Sequence, residues 1–596
     1  MNFSYCVQFF IFSVCVHIVT LFTYIIYYSD IFASIYLKTV ETEYDYIIVG
    51  SGTAGSIIAH RIATETNYTY IVLEAGSKGH GLLDIPVLSP FLHKSVYDWN
   101  YETSPQENAC WGMVDHKCRL PQGKIVGGSS KLNNMVHVRG NISHYADWFH
   151  RKYSNDYIKK QFEFVEKHFL HLDDLQYESK LVDSVLSAAT EFGYKILESE
   201  FDLGFTKSLL SQRNGKRWST SDNLDMSKVF SNFLVEEILF IGNTAVGVKC
   251  SLSNQKIQMY AKKGVILSAG TLNTPKILQL SGIGPAHILK SLGIPIVKDL
   301  PVGKNLQDHV TTGLDLVLFN KTVSISALDM INPINAIKYF IYGTGSFTSP
   351  GCEILGFLST KKLATPNIQF MVLPVGLSSD RGSLLKNILG IKNNVWNNYF
   401  NRINKYATTI LPIVLHPKSK GTVYINSTDP RLPPVIDPKY LSSTVDRRTL
   451  IDGLKLIKEF VNTESMKKIG ATLNDIKFPG CEDHVLFTDE YFNCYIKHLT
   501  LSTYHPIGTC SMGPPTSKNS VVDTSFNVIG VNRLHVVDAS VLPTMPSGNI
   551  NAAVAMMASL FFETNLKSQQ RMFTDVLNYC YVYDWFIEYV FRICLK

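Results

Sequence analysis

The stretch that most constrains the fold of this chain is DYIIVGSGTAGSIIAHRI, which runs from Asp45 to Ile62. It joins a short apolar run to three glycines with Gly-x-Gly-x-x-Gly spacing, and small residues follow them. This order predicts a strand at Tyr46–Val49, a tight turn, a helix across Ser56–Thr64 and a second strand at Tyr70–Leu73. The sequence therefore predicts an α/β fold that begins with a parallel, Rossmann-like sheet.

The second strand ends at an acidic residue, Glu74, about twenty residues after the glycine turn. A carboxylate at this position can accept hydrogen bonds from the two hydroxyls of an adenosine ribose. Gly50 permits the turn, Gly52 lets the backbone approach a pyrophosphate, and Gly55 brings the helix close to the sheet. The helix N-terminus favours the phosphate charge. We therefore predict a dinucleotide site; the alternative is a purely structural turn.

A second glycine-rich stretch, LPQGKIVGGSSKLNNMVHVRGN, runs from Leu120 to Asn141. Two glycine-lined approaches suit a long cofactor that is held along its whole length, as flavins are. The sequence therefore favours FAD over a nicotinamide cofactor, which is the weaker interpretation.

Across residues 44–563 the chain resembles the glucose–methanol–choline (GMC) family of FAD oxidoreductases. Two family signatures look like GKIVGGSSKLNNMVHVRGN and GTLNTPKILQLSGIGP, and YHPIGTCSM and VVDASVLPTMPSGNINAAVAMMA follow in the family's order. The spellings TSPG and SGNxNAA are most similar to the animal glucose dehydrogenase (FAD, quinone) branch.

The resemblance implies a role for each matching residue. It assigns the ADP half of FAD to Gly50, Gly52, Thr53, Ala54, Gly55, Glu74 and Ala75. The adenine would meet the backbone of Val235. The pyrophosphate and flavin would be lined by Gly128, Ser130, Asn133 and Val136, and the ribityl side by Asp538 and Ala539. His505 and Asn549 would face the substrate above the flavin ring.

The implied reaction is oxidation of an alcohol, in which flavin N5 takes the hydride and a base takes the hydroxyl proton. Histidine suits the base, since its unperturbed pKa is about 6.5, and the resemblance assigns His505 to this role. Asn549 would orient the substrate oxygen. The electron acceptor would be oxygen or a quinone. The alternatives are a catalytically weakened FAD-binding protein of the same fold, and a family lyase without net redox.

Several positions depart from the family's pattern. Gln122 and His416 stand where the family usually has arginine, and His137 replaces a common aromatic residue. The region between Phe162 and Phe240 looks shortened, which puts the wall of the substrate cavity in doubt. We interpret His137, His309 and His416 as packing or polar residues without a role in catalysis.

Short strand-like runs between Val310 and Ile425 indicate an antiparallel sheet. We predict a substrate-binding domain at residues 311–499, with this sheet flanked by helices. It would be inserted into a discontinuous FAD-binding domain made of residues 44–310 and 500–566.

The stretch from Phe9 to Tyr28 carries no charge and is long enough to cross a bilayer, since about 20 apolar residues suffice. We predict a signal peptide or a signal-anchor over residues 1–28, and hence a protein that is secreted or membrane-anchored outside the cytosol. In the apolar tail at 567–596, the stretch Leu577 to Lys596 is predicted to be a half-buried or interfacial amphipathic helix. In an exported chain, Cys110 with Cys118 and Cys481 with Cys494 are predicted disulfides. We expect no metal site and, with a net charge of only +6, no nucleic-acid partner.

Overall fold

The structure is a computed structural model that describes residues 41–198, 201–322, 332–361 and 363–568. The predicted signal or anchor at 1–28 and nearly all of the predicted tail at 567–596 lie outside these ranges. Within them, the helices lack the combination of length and hydropathy that crossing a bilayer requires.

The described strands form two seven-stranded sheets and several smaller ones. In chain order, the strands of the two large sheets are β1 Glu43–Val49, β2 Tyr70–Glu74, β3 Lys195–Ile196, β4 Gly204–Lys207, β5 Val229–Ser231, β6 Phe233–Ile241, β7 Thr244–Leu252, β8 Gln255–Leu267, β9 Val317–Phe319, β10 Ile354–Leu358, β11 Ile368–Leu373, β12 Tyr406–Val414, β13 Ala471–Leu473 and β14 Leu534–Val536.

Eight helices of the described chain contain ten or more residues. They are α1 Thr53–Glu65, α2 Asn155–His168, α3 Leu181–Glu191, α4 Gly270–Leu280, α5 Pro333–Tyr342, α6 Thr444–Val461, α7 Asp489–His498 and α8 Asn551–Phe561.

The first sheet has the order β5-β2-β1-β8-β7-β6, and β14 pairs with β8. Strands β5, β2, β1, β8 and β14 are mutually parallel, whereas β7 and β6 are antiparallel additions. Strand β1 is buried along Tyr46–Val49, as expected for a parallel strand covered on both faces. The carboxyl ends of β1 and β2 therefore open toward one common crevice, where ligands of such sheets bind.

Helix α1 begins at Thr53, three residues before the predicted start. The residues of its first turn are small and buried, so the helix starts directly after Gly52 and packs against the sheet. A Cβ at Gly55 would lie 2.0 Å from the carbonyl oxygen of Gly50. Only glycine therefore permits this close contact between the helix and the turn.

The second sheet has the order β13-β9-β12-β11-β10-β4-β3. All its pairs are antiparallel except β4 with β3. Helices α3, α6 and α7 contribute to the same hydrophobic core, through residues such as Val185, Leu454 and Tyr495. The predicted architecture, a parallel sheet plus an antiparallel sheet flanked by helices, is confirmed.

Two details of the predicted division differ from the structure. Strands β3 and β4 come from the predicted FAD-binding range, yet β4 pairs with β10 in the second sheet. The run at Gly421–Tyr424 belongs to a separate three-stranded sheet instead of the large antiparallel one. We call the part of the chain built on the first sheet the first unit and the part built on the second sheet the second unit. Because short strands before residue 310 pair in the second sheet, a single boundary near residue 310 does not separate the two units.

Both predicted disulfides are present, Cys110–Cys118 and Cys481–Cys494. The Cys110–Cys118 loop contacts the end of α7, the helix that carries Cys494, because Gly112 donates its backbone N–H to the carbonyl of His498, the last residue of α7. This hydrogen bond therefore connects helix α7 of the second unit with the segment that contains Cys110 and Cys118.

Candidate functional site

One cavity of about 750 Å³ extends from the carboxyl ends of β1 and β2 to the second sheet. With the exception of Gly55, every residue that the sequence assigned to the site lines this cavity: Gly50, Gly52, Thr53, Ala54, Glu74, Ala75, Gly128, Ser130, Asn133, Val136, Val235, His505, Asp538, Ala539 and Asn549. Gly55 lies behind the turn, against Gly50.

The first glycine turn forms one wall of the cavity. Gly50 has φ +99°, and a Cβ there would lie 2.4 Å from the carbonyl oxygen of Ser268. A Cβ at Gly52 would meet no atom within 4 Å, so this glycine leaves open space in front of helix α1. Gly52 is also the N-cap of α1 and offers no side-chain acceptor, which leaves first-turn N–H groups for an anion.

The second glycine-rich stretch lies directly against the first. The backbone N–H of Gly127 donates to the carbonyl of Ser51 at 3.1 Å. Gly128 has φ +57°, and a Cβ there would lie 3.0 Å from the Cα of Gly52. The two loops therefore form one narrow, backbone-lined passage.

Glu74 lies at the end of β2 and is buried. Its Oε2 accepts from the backbone N–H and the hydroxyl of Ser51, at 3.0 and 2.7 Å, and its Oε1 accepts from the backbone N–H of Gly76 at 2.8 Å. Burial raises the pKa of Glu74, and these hydrogen bonds oppose that rise. Oε1 keeps a lone pair toward the cavity, where a ribose hydroxyl can donate.

These features fit FAD. The cavity offers a carboxylate acceptor at one end, a glycine-lined passage beside an uncapped helix in its middle, and His505 with Asn549 at the other end. Asp538 is already engaged by the chain: it accepts from the backbone N–H of Gly270 at 2.9 Å and from the hydroxyl of Thr274 at 2.6 Å. It therefore fixes the start of α4 beside the cavity.

His505 follows a short strand, Leu501–Ser502, that pairs with Val310–Thr311. Its imidazole has a different neighbour at each nitrogen. Nδ1 lies 3.1 Å from Nδ1 of His309 and 3.1 Å from the hydroxyl of Thr503, whereas Nε2 lies 3.3 Å from the amide nitrogen of Asn549. Burial lowers the pKa of His505 to about 4, so the ring is neutral near pH 7.

His309 is fully buried behind His505. Its Nε2 lies 3.0 Å from the carbonyl oxygen of Leu415. Burial and the neighbouring histidines His505 and His416 hold the pKa of His309 well below its usual range, although the carbonyls of Leu415 and Pro546 oppose this effect. The sequence predicts a packing or polar role for His309, and the structure shows that its polar contact is with the candidate base.

Asn549 lies just before α8, and its Oδ1 accepts from the side-chain amide of Gln369 at 3.5 Å. This contact directs the amide nitrogen toward His505. The preceding residue is Gly548, at which a Cβ would lie 2.4 Å from Val138, so the segment passes close to the second glycine-rich stretch.

Two cavity residues were not predicted from the sequence, Lys276 and His93. Lys276 on α4 lines the cavity near Val235, and burial lowers its pKa to about 8. His93 lines the opposite end, where its ring packs edge-on against Tyr504 with centroids 5.6 Å apart. No local motif marks His93, whereas Lys276 is the charged residue of helix α4.

The three departures from the family's pattern lie in different places. His137 binds Glu166 through Nε2 at 2.8 Å, and His416 lies 3.4 Å from the hydroxyl of Ser547. Gln122 lines the cavity beside the second glycine-rich stretch and accepts from Ser129 at 3.4 Å. Of the three, Gln122 is therefore the one that borders the cavity.

Comparison with models of known protein families gives two matches, and both belong to the same family. Two family models described as GMC oxidoreductase match the chain, one over residues 44–311 and the other over residues 417–558.

Three curated relatives illustrate the range of similar proteins. The chain is 30% identical to a glucose dehydrogenase [FAD, quinone] of Drosophila melanogaster, over 87% of this chain and 86% of that protein. It is 31% identical to an ecdysone oxidase of Spodoptera littoralis, over 89% and 92%. It is 31% identical to an alcohol dehydrogenase [acceptor] of Pseudomonas putida, over 86% and 94%.

Solved structures share the fold at lower identity. A formate oxidase superposes with a TM-score of 0.76 at 21% identity, covering 89% of this chain and all of that one. A pyridoxine 4-oxidase from Mesorbium loti superposes with a TM-score of 0.73 at 22% identity, covering 87% and 99%.

Proposed function

Since the chain belongs to the GMC oxidoreductase family of FAD-dependent enzymes, which act on alcohols or sugars, we propose that it oxidises an alcohol with His505 as the base. Asn549 orients the alcohol's hydroxyl group. The observation that carries this proposal is the hydrogen-bond chain from the carbonyl of Leu415 through His309 to His505.

These hydrogen bonds favour one arrangement of the protons on the two imidazole rings. The carbonyl of Leu415 is only an acceptor, so Nε2 of His309 carries the proton. His309 is neutral, so its Nδ1 is then an acceptor, and the proton between the two rings belongs to Nδ1 of His505. The hydroxyl of Thr503 donates to the carbonyl of His309 at 3.2 Å, so it too can accept from this N–H.

The remaining nitrogen, Nε2 of His505, therefore presents a lone pair toward the cavity and Asn549. An alcohol oxygen that takes the place of the 3.3 Å contact between the two side chains can accept a hydrogen bond from the Asn549 amide and donate its proton to Nε2. A neutral imidazole in this tautomer is the form that general base catalysis requires. FAD, when bound, supplies the acceptor for the hydride that leaves the carbinol carbon.

The test is the rate of flavin reduction at saturating alcohol, followed by stopped-flow absorbance, in the parent, His505→Ala and Asn549→Ala. Loss of a general base costs typically about 10²–10⁴-fold, and the Asn549 variant should lose less because it removes one oriented hydrogen bond. Mixing the reduced enzyme with oxygen and, separately, with a quinone then identifies the electron acceptor.

His535→Gln is the matched control, since His535 is a buried histidine of β14 that does not line the cavity. It should reduce its flavin at the parental rate. Parental rates in His505→Ala would exclude His505 as the base. If no alcohol reduces the parent, the protein binds FAD without turnover; cleavage of a cyanohydrin without flavin reduction would instead indicate a lyase.

A further inference from the structure

We propose that the alcohol is uncharged and largely hydrocarbon, an aliphatic chain or a fused apolar ring system, and not a sugar or a quaternary ammonium alcohol. This inference rests on the proposed function and names the substrate class of the same site. The inference is based on the side chains that the second unit contributes to the cavity.

The wall of the cavity beyond His505 is aliphatic. Strands β11 and β12 and the segment that follows β11 supply it, with Met371, Leu373, Leu377, Leu384, Ile388 and Leu411. Side chains of this type bind a ligand by excluding water from its apolar surface and give no directional hydrogen bonds.

Among the described lining residues, four are aspartate, glutamate, lysine or arginine: Glu74, Lys276, Asp380 and Asp538. Asp538 belongs to the first unit, and its carboxylate accepts from Gly270 and Thr274. Glu74 and Lys276 belong to the first unit, near the end where the adenine is expected. Asp380 belongs to the second unit, but its carboxylate accepts from the backbone N–H groups of Gly382, Leu384 and Leu385, at 2.8, 2.8 and 2.7 Å. Its oxygens therefore stabilise their own loop.

Of the five hydroxyl groups that the second unit contributes to the described cavity lining, those of Thr311, Ser379 and Thr409 donate within the protein, and that of Ser349 accepts from the backbone N–H of Gly351. Thr311 donates to the carbonyl of Pro412 at 2.9 Å, and Ser379 donates to the carbonyl of Gly376 at 2.6 Å. The wall therefore offers few polar groups that can turn toward a ligand, apart from His505 and Asn549, which bind the reacting hydroxyl.

Two substrate classes are disfavoured by this lining. Each further hydroxyl of a sugar would lose water without gaining a partner, which costs free energy for every group. A quaternary ammonium group needs aromatic faces or a free carboxylate around it, and the carboxylate that this wall contains is occupied. An apolar alcohol meets neither penalty and gains from the burial of each methylene.

The first experiment measures kcat/KM for the primary alcohols from ethanol to decanol, together with glucose and choline. Burial of one methylene is worth about 0.8 kcal/mol, which is roughly a fourfold gain in kcat/KM per added carbon until the cavity is full. A higher kcat/KM for glucose or for choline than for octanol would overturn the proposal.

A second experiment separates this inference from the proposed function. Tertiary alcohols with a growing alkyl chain cannot be oxidised at the carbinol carbon, so their binding is read from the visible spectrum of the bound flavin and from the thermal unfolding midpoint. Tighter binding with length supports the substrate class even if no alcohol reduces the flavin, which would refute only the proposed function. Binding that is independent of length refutes the substrate class.

A variant pair tests the wall itself. Leu411→Thr introduces a β-branched residue, which suits strand β12, while it removes apolar surface from the cavity. We expect KM for octanol to rise at least about threefold, since about one methylene's worth of contact is lost, and KM for ethanol to stay unchanged. Leu432→Thr is the control at an exposed leucine outside the cavity. An unchanged chain-length dependence in Leu411→Thr would contradict the proposed wall.

Discussion

Asp308 binds His505 through the backbone: its Oδ1 accepts from the backbone N–H of His505 at 3.0 Å, while the imidazole contacts His309. The other carboxylate oxygen accepts from the hydroxyls of Ser502 and Tyr440. Burial raises the pKa of Asp308 to about 6. Two consecutive residues thus hold the proposed base: the Asp308 carboxylate binds the backbone N–H of His505, and the His309 ring contacts its imidazole.

This arrangement predicts an unusual pH dependence. A carboxylate against the imidazole would favour its charged form, whereas here burial lowers the pKa of His505 to about 4. The neutral base is therefore present above pH 5, and its fraction falls only as the pH drops through about 4. We expect the rate of flavin reduction to be flat from pH 7 to 9, above the range in which Asp308 titrates. A descending limb with an apparent pKa above 7 would contradict the assigned environment.

The contact between the two histidines predicts the effect of substitutions at His309. His309→Leu removes the acceptor for Nδ1–H of His505 and leaves Thr503 as its partner. One lost hydrogen bond of about 0.5–1.5 kcal/mol corresponds to a rate of flavin reduction lower by roughly 2- to 13-fold. His309→Gln restores an acceptor and should recover part of the rate. Equal rates in the Leu and Gln variants would indicate that His309 only fills space.

Glu74 is expected to hold the ribose end of FAD. Glu74→Ala removes charge-assisted hydrogen bonds, each worth about 1.5–3 kcal/mol, so the bound flavin fraction of purified protein should fall. Glu74→Gln keeps the shape without the charge and should retain more flavin than the Ala variant. Flavin content and the dissociation constant are measured by fluorescence of released FAD; undiminished content in Glu74→Ala would refute the assignment.

Alanine substitutions at two glycines of the same turn should have different effects, one on stability and the other on FAD binding. A Cβ at Gly55 would lie 2.0 Å from a carbonyl oxygen, so Gly55→Ala should destabilise the cofactor-free protein by about 1–3 kcal/mol through overpacking. At Gly52 the backbone has φ −66° and a Cβ meets no protein atom, so Gly52→Ala should leave that stability unchanged and weaken FAD binding. Thermal unfolding without cofactor and FAD titration measure the two effects, and equal stability losses would contradict the distinction.

The features that were predicted correctly from the sequence are those formed by residues close together in the chain. The glycine turn, the helix behind it and Glu74 lie within 25 residues of one another, and each has a residue type that its backbone requires. The contact of His309 with His505 joins residues 196 positions apart, and no periodicity reports such a pair. The pairing of strands β3 and β4 in the second sheet is equally hard to predict, because they contain two and four residues, too few for an alternating pattern to show their partner.

The order of strands in the first sheet has a consequence for synthesis on the ribosome. Strand β8 ends at Leu267, yet β14, which pairs with it, begins at Leu534. Since synthesis proceeds at about 5–20 residues per second, roughly ten to fifty seconds pass between the synthesis of β8 and that of its partner β14. The nascent chain therefore carries an unpaired, apolar strand edge throughout the synthesis of the second unit, which makes it a natural client for chaperones that shield such edges.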